Sequence, residues 1–208
     1  MRTVHVVVHP ESTHHVDGLV GGWYDAQLTP AGLAAAVSIA AALRARVPGD
    51  GEAEVYSSDL QRALQAARVI GDVLRADVTV DPDLREKSYG AAEGRPQAWL
   101  DERFVPPPAT GERMNHDEGL PGAETKGTAA KRVYAAVERI LASGCQQQVI
   151  VTHGFAATFV LAAWIKVPLE AAGYANFRTP SGSITELRED DFFHNRQIAT
   201  LGDTAHLA

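Results

Sequence analysis

Short apolar runs alternate along this chain with longer Ala-rich or amphipathic stretches, in the order that builds strands and helices around one sheet. The first run, Thr3-Val4-His5-Val6-Val7-Val8, is rich in β-branched residues. It stops abruptly at the polar cluster His9-Pro10-Glu11-Ser12-Thr13-His14-His15. The pattern predicts a buried strand that delivers His9 to the edge of a sheet, which is where open α/β sheets bind their ligands. Far along the chain, Val149-Ile150-Val151-Thr152 is a second such run, ending at His153-Gly154 and leading into an apolar stretch. Two buried strands that each end in His can bring the two imidazoles together.

The intervening pattern fills in the fold. A Gly-rich loop over residues 17–25 precedes Thr29-Pro30, an N-cap and first-turn pair that opens a helix over 30–46, closed by Pro48-Gly49-Asp50-Gly51. A short strand over 53–56 leads to Ser58, which with Gln61 forms a capping-box pattern and starts a helix running to residue 74, with Arg62 in its first turn. Residues 78–80 read as a strand, 84–94 as a polar, Gly-punctuated loop, and 97–103 as a short helix. Helices over 124–142 and 155–165 flank the His153 strand, and strands over 183–187 and 197–201 form a hairpin on one edge. The expected architecture is α/β, a single domain over 1–208 with a cap insertion at about 95–123.

Composition narrows the partners. The 208 residues, 45% hydrophobic, suffice for one sizeable core. The net charge of −7 and the lack of any basic block argue against a nucleic-acid groove or an anionic membrane surface. An anionic substrate therefore requires local positive charge. Cys145 is the only cysteine, which excludes an internal disulfide and fits a reducing compartment. The first residues carry no signal-peptide pattern, and the longest apolar stretch, 155–165, is too short to span a bilayer. A soluble, cytoplasmic protein is expected, with its oligomeric state open and a homodimer among the possibilities.

Five segments in order resemble the histidine phosphatase superfamily, also called phosphoglycerate mutase-like. They are His9 with its strand, Ser58-Asp59-Leu60-Gln61-Arg62-Ala63, Leu84-Arg85-Glu86 with Gly90 and Glu93-Gly94, Val151-Thr152-His153-Gly154, and the tail Asp203-Thr204-Ala205-His206-Leu207. The resemblance implies a three-layer α/β/α sandwich. It also implies a cofactor-free reaction, with no metal needed, in which His9 attacks phosphorus and water hydrolyses the resulting phosphohistidine. By the same resemblance, Arg62 offers a bidentate fork to the phosphoryl group and His153 a second donor. The N–H groups following Gly154 add a helix N-terminus, and Glu86 protonates the leaving alcohol.

This chain departs from the family in the first motif. Val8 stands where the family has Arg, and Pro10 where it has Gly, removing one cation and one N–H. The family's phosphate-binding Asn position falls on His15 and the aromatic before it on His14. The expectation is compensation, with His15 and His14 donating to phosphate in place of the lost guanidinium, and Ser12 among the substrate contacts. Two other readings stand beside it. A metal site built from His9, His14, His15, Asp17 and Glu11 suits imidazole and carboxylate chemistry. A binding module without turnover would be expected to have lost Glu86, Arg62 or His153 as well, and all three are present.

Within the family, the compact chain and short tail resemble a phosphatase more than the larger mutases. The expected substrate is a small phosphorylated metabolite. Trp99, Phe104, Met114 and His116 in the cap are candidates for contacting its non-phosphate part, with mere anchoring of the cap as the other role for Trp99 and Phe104.

Overall fold

The computed structural model describes residues 1–48 and 52–208. The turn expected at residues 49–51 lies outside the described residues. Strands β1 (Arg2–Val8), β2 (Glu54–Ser57), β3 (Val78–Val80), β4 (Gln147–Thr152), β5 (Ile184–Glu189) and β6 (Arg196–Asp203) form one mixed sheet in the order β3-β2-β4-β1-β5-β6. The four from β3 to β1 are parallel, and β5 and β6 add an antiparallel hairpin beyond β1. Helices α1 (Thr13–Val16), α2 (Pro30–Arg46), α3 (Gln61–Leu74), α4 (Gln97–Asp101), α5 (Lys126–Ala142) and α6 (Gly154–Trp164) complete the chain. The expected α/β/α sandwich is the observed fold.

Alternation along β1 decides the layers. Val4, Val6 and Val8 point to one face, where they join Ala136, Ile140, Phe159 and Trp164 of α5 and α6. Val7 points to the other, with Ile39 and Leu43 of α2 and Ala66 and Ile70 of α3. Helix α6 is apolar nearly all round, which is why it is buried rather than amphipathic. The helices that follow β1 and β4 therefore lie on opposite faces, and these two strands are neighbours. That is a topological switch point, with a crevice at the strands' carboxyl ends.

Most elements lie within a few residues of their expected bounds, and three differences are informative. The third helix begins at Gln61 with Leu60 as its cap, because Ser58 Oγ, the expected cap, is 2.9 Å from His153 Nε2. The four residues of α1 form a helix inside what the pattern reads as loop, since one turn carries no periodicity. The short helix in the 95–123 segment stops at Asp101. That segment packs a satellite cluster of Val20, Ala92, Leu100 and Leu120. It closes on the loop before it at Gly90 (φ 52°), where a Cβ would meet the Pro121 carbonyl at 2.3 Å. Among the described residues no helix is long and apolar enough to cross a membrane.

One core residue carries a pH liability. His5, in the middle of β1, is 1% exposed and neither ring nitrogen has a hydrogen-bond partner. Burial lowers its pKa to about 4, with Arg46 and Arg188 adding to the effect and Glu186, 3.8 Å away, opposing it. The folded pKa lies below the unfolded value of 6.5, so the unfolded chain binds the extra proton in between. Stability is complete above about pH 6.5 and is lost as pH falls toward 4, by on the order of 3 kcal/mol from this ring. His5→Leu should flatten the acid limb of stability in urea denaturation by about that amount. An unchanged acid limb in the variant would show that His5 does not cause it.

Candidate active site

The register of β1 and β4 builds the centre of the site. Val8 lies opposite Thr152, so the residues that follow them, His9 and His153, leave the sheet side by side. His9 N–H donates to the Thr152 carbonyl at 3.0 Å, and the two rings stand edge to face with centroids 5.0 Å apart. Both are buried. The pairing expected from two strand-terminal histidines is thus present.

Hydrogen bonds settle the tautomers. A carbonyl only accepts, so His9 Nδ1, 2.8 Å from the Pro10 carbonyl, carries the proton, and the Nε2 lone pair accepts from Arg62 Nε at 3.2 Å. Ser58 Oγ accepts from the Leu60 N–H at 3.2 Å and, buried with no other acceptor in reach among the described residues, gives its proton to His153 Nε2. His153 then carries its own proton on Nδ1, which is buried with no partner in the protein. His9 is a neutral base and His153 a neutral donor. Burial holds both pKa values well below the ordinary value, the Arg62 guanidinium pushes them further down, and the Pro10 carbonyl opposes this at His9.

Arg62 is 1% exposed, and its cation is committed within the protein. Besides His9, it donates through Nη1 to the Tyr24 carbonyl (2.7 Å) and through Nη2 to the Gly22 carbonyl (2.6 Å). The fork expected to be free for phosphate instead fastens the Gly-rich loop to His9. Val8 is core, 4% exposed, and its side of the cavity is apolar where the family pattern has a cation.

Ser12 lies beneath the two extra histidines. Its Oγ is 2.9 Å from His14 Nδ1, and its backbone N–H donates to His15 Nδ1 at 3.3 Å. A neutral His15 must therefore carry its proton on Nε2. His15 is exposed and stacks on His9 with centroids 5.5 Å apart, while His14 is buried. His14 fits because residue 21 is Gly, since a Cβ there would approach His14 Nε2 to 2.8 Å. Burial first, then neighbouring charge, lowers His14 to about 3 and also lowers His15. Ser12 is a support for the rings and does not line the cavity.

Glu86 occupies the start of α6. Its carboxylate accepts from the N–H groups of Phe155 (3.1 Å), Ala156 (3.0 Å) and Lys87 (3.0 Å). The N–H groups after Gly154, expected to face a phosphoryl anion, thus hold the acid instead. Burial raises the Glu86 pKa, with those N–H bonds and Arg62 opposing it. The loop is held from behind by Arg132, which the sequence reading missed. Its guanidinium donates to the carbonyls of Asp83, Arg85 and Glu86 and grips Glu124. Trp23 Nε1 donates to the same Glu86 carbonyl at 2.7 Å.

These groups surround a cavity of about 250 Å3 that His9, His14, His15, Arg62, Glu86 and Gly154 all line. A larger open groove of about 1020 Å3, around Arg44, Glu54 and Cys145, lies at the opposite, amino ends of the strands and holds none of them. Tyr89, Thr179 and Ser181 also line the smaller cavity, and nothing in their local sequence marked them. The cap residues do not reach it. Met114 belongs to the main core, Trp99 and Phe104 pack on the satellite cluster, and His116 Nε2 bonds the Val105 carbonyl. Among the described residues, no three His, Cys, Asp or Glu side chains converge as metal ligands, so the metal reading of the histidine loop has no donor set.

The model of the histidine phosphatase superfamily (branch 1) matches residues 4–200. A curated relative from Yersinia pestis (strain Pestoides F), "Probable phosphoglycerate mutase GpmB", is 29% identical over 214 residues, covering 100% of this chain and 95% of that protein. A mycobacterial glucosyl-3-phosphoglycerate phosphatase solved with VO3 superposes with a TM-score of 0.79 at 26% identity, over 98% of this chain and 100% of that one. A Bacillus stearothermophilus protein, YhfR, gives 0.79 at 23% identity over the whole of both chains, a likeness of fold.

The electrostatics can be measured directly. Imidazole NMR titration should show His14 neutral down to about pH 3, with His9 and His153 also neutral through the range in which a free imidazole charges. Removing the guanidinium in Arg62→Met should raise the His9 pKa. No upward movement would mean that burial alone sets it.

Proposed function

Because this chain belongs to the histidine phosphatase superfamily, we propose that it hydrolyses phosphomonoesters of a small metabolite through a phosphohistidine on His9, without a metal. The observation that carries this reading is the His9 tautomer. With Nδ1–H fixed on the Pro10 carbonyl, the Nε2 lone pair faces a cavity beside a buried cation and a carboxyl group. Nε2 attacks phosphorus, and the P–O bond to the leaving alcohol breaks as that oxygen takes a proton from Glu86. Water then gives a proton back to the Glu86 carboxylate and attacks the phosphohistidine, releasing phosphate and restoring neutral His9. A raised Glu86 pKa suits the acid half of this cycle. Arg62 Nε–H, which occupies the His9 lone pair in the free protein, passes to the phosphoryl oxygens as the new bond forms. The unpartnered His153 Nδ1–H is a further donor for them.

The histidine loop supports compensation for the missing Arg. A neutral His15 offers Nε2–H at the cavity wall, held by the Ser12 backbone. Binding dianionic phosphate beside His14 and His15 would also raise their pKa values, so the substrate itself adds positive charge there. What favours turnover over a binding module is that His9, Arg62 and Glu86 line one cavity, with His153 packed edge to face on His9.

Phosphate release should be measured across phosphorylated metabolites with chelator present and His9→Ala as blank. Chelator-resistant release that vanishes in the blank is expected. Tight binding without release would instead favour a binding module. In Glu86→Gln, release from an alkyl phosphate should fall by about 10²–10⁴, while p-nitrophenyl phosphate, whose leaving group needs no proton, should fall far less. Equal losses would remove Glu86 as the acid. His15→Ala should weaken substrate capture by roughly 10–100-fold, the loss of one hydrogen bond to a charged group. The compensation idea fails if that variant is silent while Val8→Arg greatly speeds turnover.

A further inference from the structure

The half of the cavity beyond the reacting atoms has an unusual charge inventory. Among the described residues that line it, Arg62 is the only permanent cation, and its N–H groups already hold His9 and two loop carbonyls. Three cations near the lining residues are also taken, while Arg178, next to Thr179, is exposed and does not line the cavity. Arg85 pairs with Asp59, the buried Lys87 with Glu118, and Arg132 with Glu124. A second anionic group on the substrate would share this space with Glu86 and find no uncommitted permanent cation among the lining side chains, a desolvation cost that the wall does little to offset.

What the wall does offer is neutral. Tyr89, Ser181 and Thr179 line it together with Gly21 and Gly22. Ser181 Oγ already donates to the His9 carbonyl at 2.9 Å. Thr179 Oγ1 is shut off from solvent and has no hydrogen-bond partner in the protein. That hydroxyl is uncommitted, and a χ1 rotation turns it toward a partner that enters the cavity. The cavity, about 250 Å3, falls below the range of about 300–1,000 Å3 typical of sites for drug-sized ligands. Once a phosphoryl group is seated, little room is left.

We propose that this half of the pocket takes a small, uncharged, hydroxyl-bearing leaving group, and that Thr179 determines specificity by hydrogen-bonding one of its hydroxyls. The proposal rests on the phosphatase reading above and deepens it by naming the substrate class. A second anionic group, such as the carboxylate of a phosphoglycerate, is disfavoured by the lack of a spare cation in the lining. A plain alkyl chain is disfavoured because it leaves the Thr179 hydroxyl unpaired, the circumstance in which discrimination by one missing hydroxyl is strongest.

The test uses the full chain and three small esters. Glycerol 3-phosphate and 3-phosphoglycerate differ in a terminal CH2OH against a carboxylate, and n-propyl phosphate lacks both free hydroxyls. The kcat/KM for glycerol 3-phosphate should exceed that for 3-phosphoglycerate by at least tenfold. Thr179→Val keeps the shape and deletes only an unpartnered hydroxyl, so it should fold with an undiminished Tm. It should cut the preference for glycerol 3-phosphate over n-propyl phosphate about tenfold. Equal or better turnover of 3-phosphoglycerate, or a preference unchanged in Thr179→Val, overturns the proposal and leaves the phosphatase reading standing. Failure of any His9-dependent phosphate release, even from p-nitrophenyl phosphate, overturns both.

Discussion

The site depends on the parallel pairing of β1 with β4 in one register. Val8 opposite Thr152 sets His9 against His153, and β2 on the other side of β4 brings Ser58 to the second ring. A slip of one residue would turn every β1 side chain to the other face, exchanging Val4, Val6 and Val8 for His5 and Val7. The apolar faces on both sides of the sheet oppose such a slip. Burial of valines thus positions the imidazoles.

On that frame, a single buried guanidinium organises the polar groups. Arg62 holds the His9 lone pair, ties down the loop through Gly22 and Tyr24, and depresses the pKa of each imidazole around it. Its desolvation is offset by carbonyl oxygens and by the nearby charges of Glu86, Asp25 and Glu93. The same cation that keeps His9 neutral is the one permanent positive charge among the described residues lining the cavity. With Val8 in place of an arginine, the cavity carries less positive charge than the family pattern.

The acid loop shows how charge is sorted by packing. Arg85, Glu86 and Lys87 are adjacent in sequence, within a stretch whose pattern reads as a polar loop. In the fold they part in three directions, Arg85 to Asp59, Lys87 to Glu118 and Glu86 onto the start of α6. Arg132, on α5 and marked by no local pattern, clamps the loop through three carbonyls. The carboxyl at the cavity is held by its backbone rather than by its neighbours in sequence.

The strand-terminal histidines, the helix opened by Thr29 and Pro30, the hairpin at the edge and the place of Arg62 near the sheet were all legible in the chain. Each rests on a short-range signal, whether a β-branched run, a cap residue or a period of hydrophobicity, that the local backbone obeys in any compact fold. The partner chosen by each polar group was not legible. Ser58 turned from capping a helix to holding His153, the N–H groups after Gly154 took Glu86, Ser12 went beneath the histidines, and Thr179 was left without a partner in the cavity wall. Those outcomes depend on distances between segments up to a hundred residues or so apart. Only the packed sheet and its two helical layers set them.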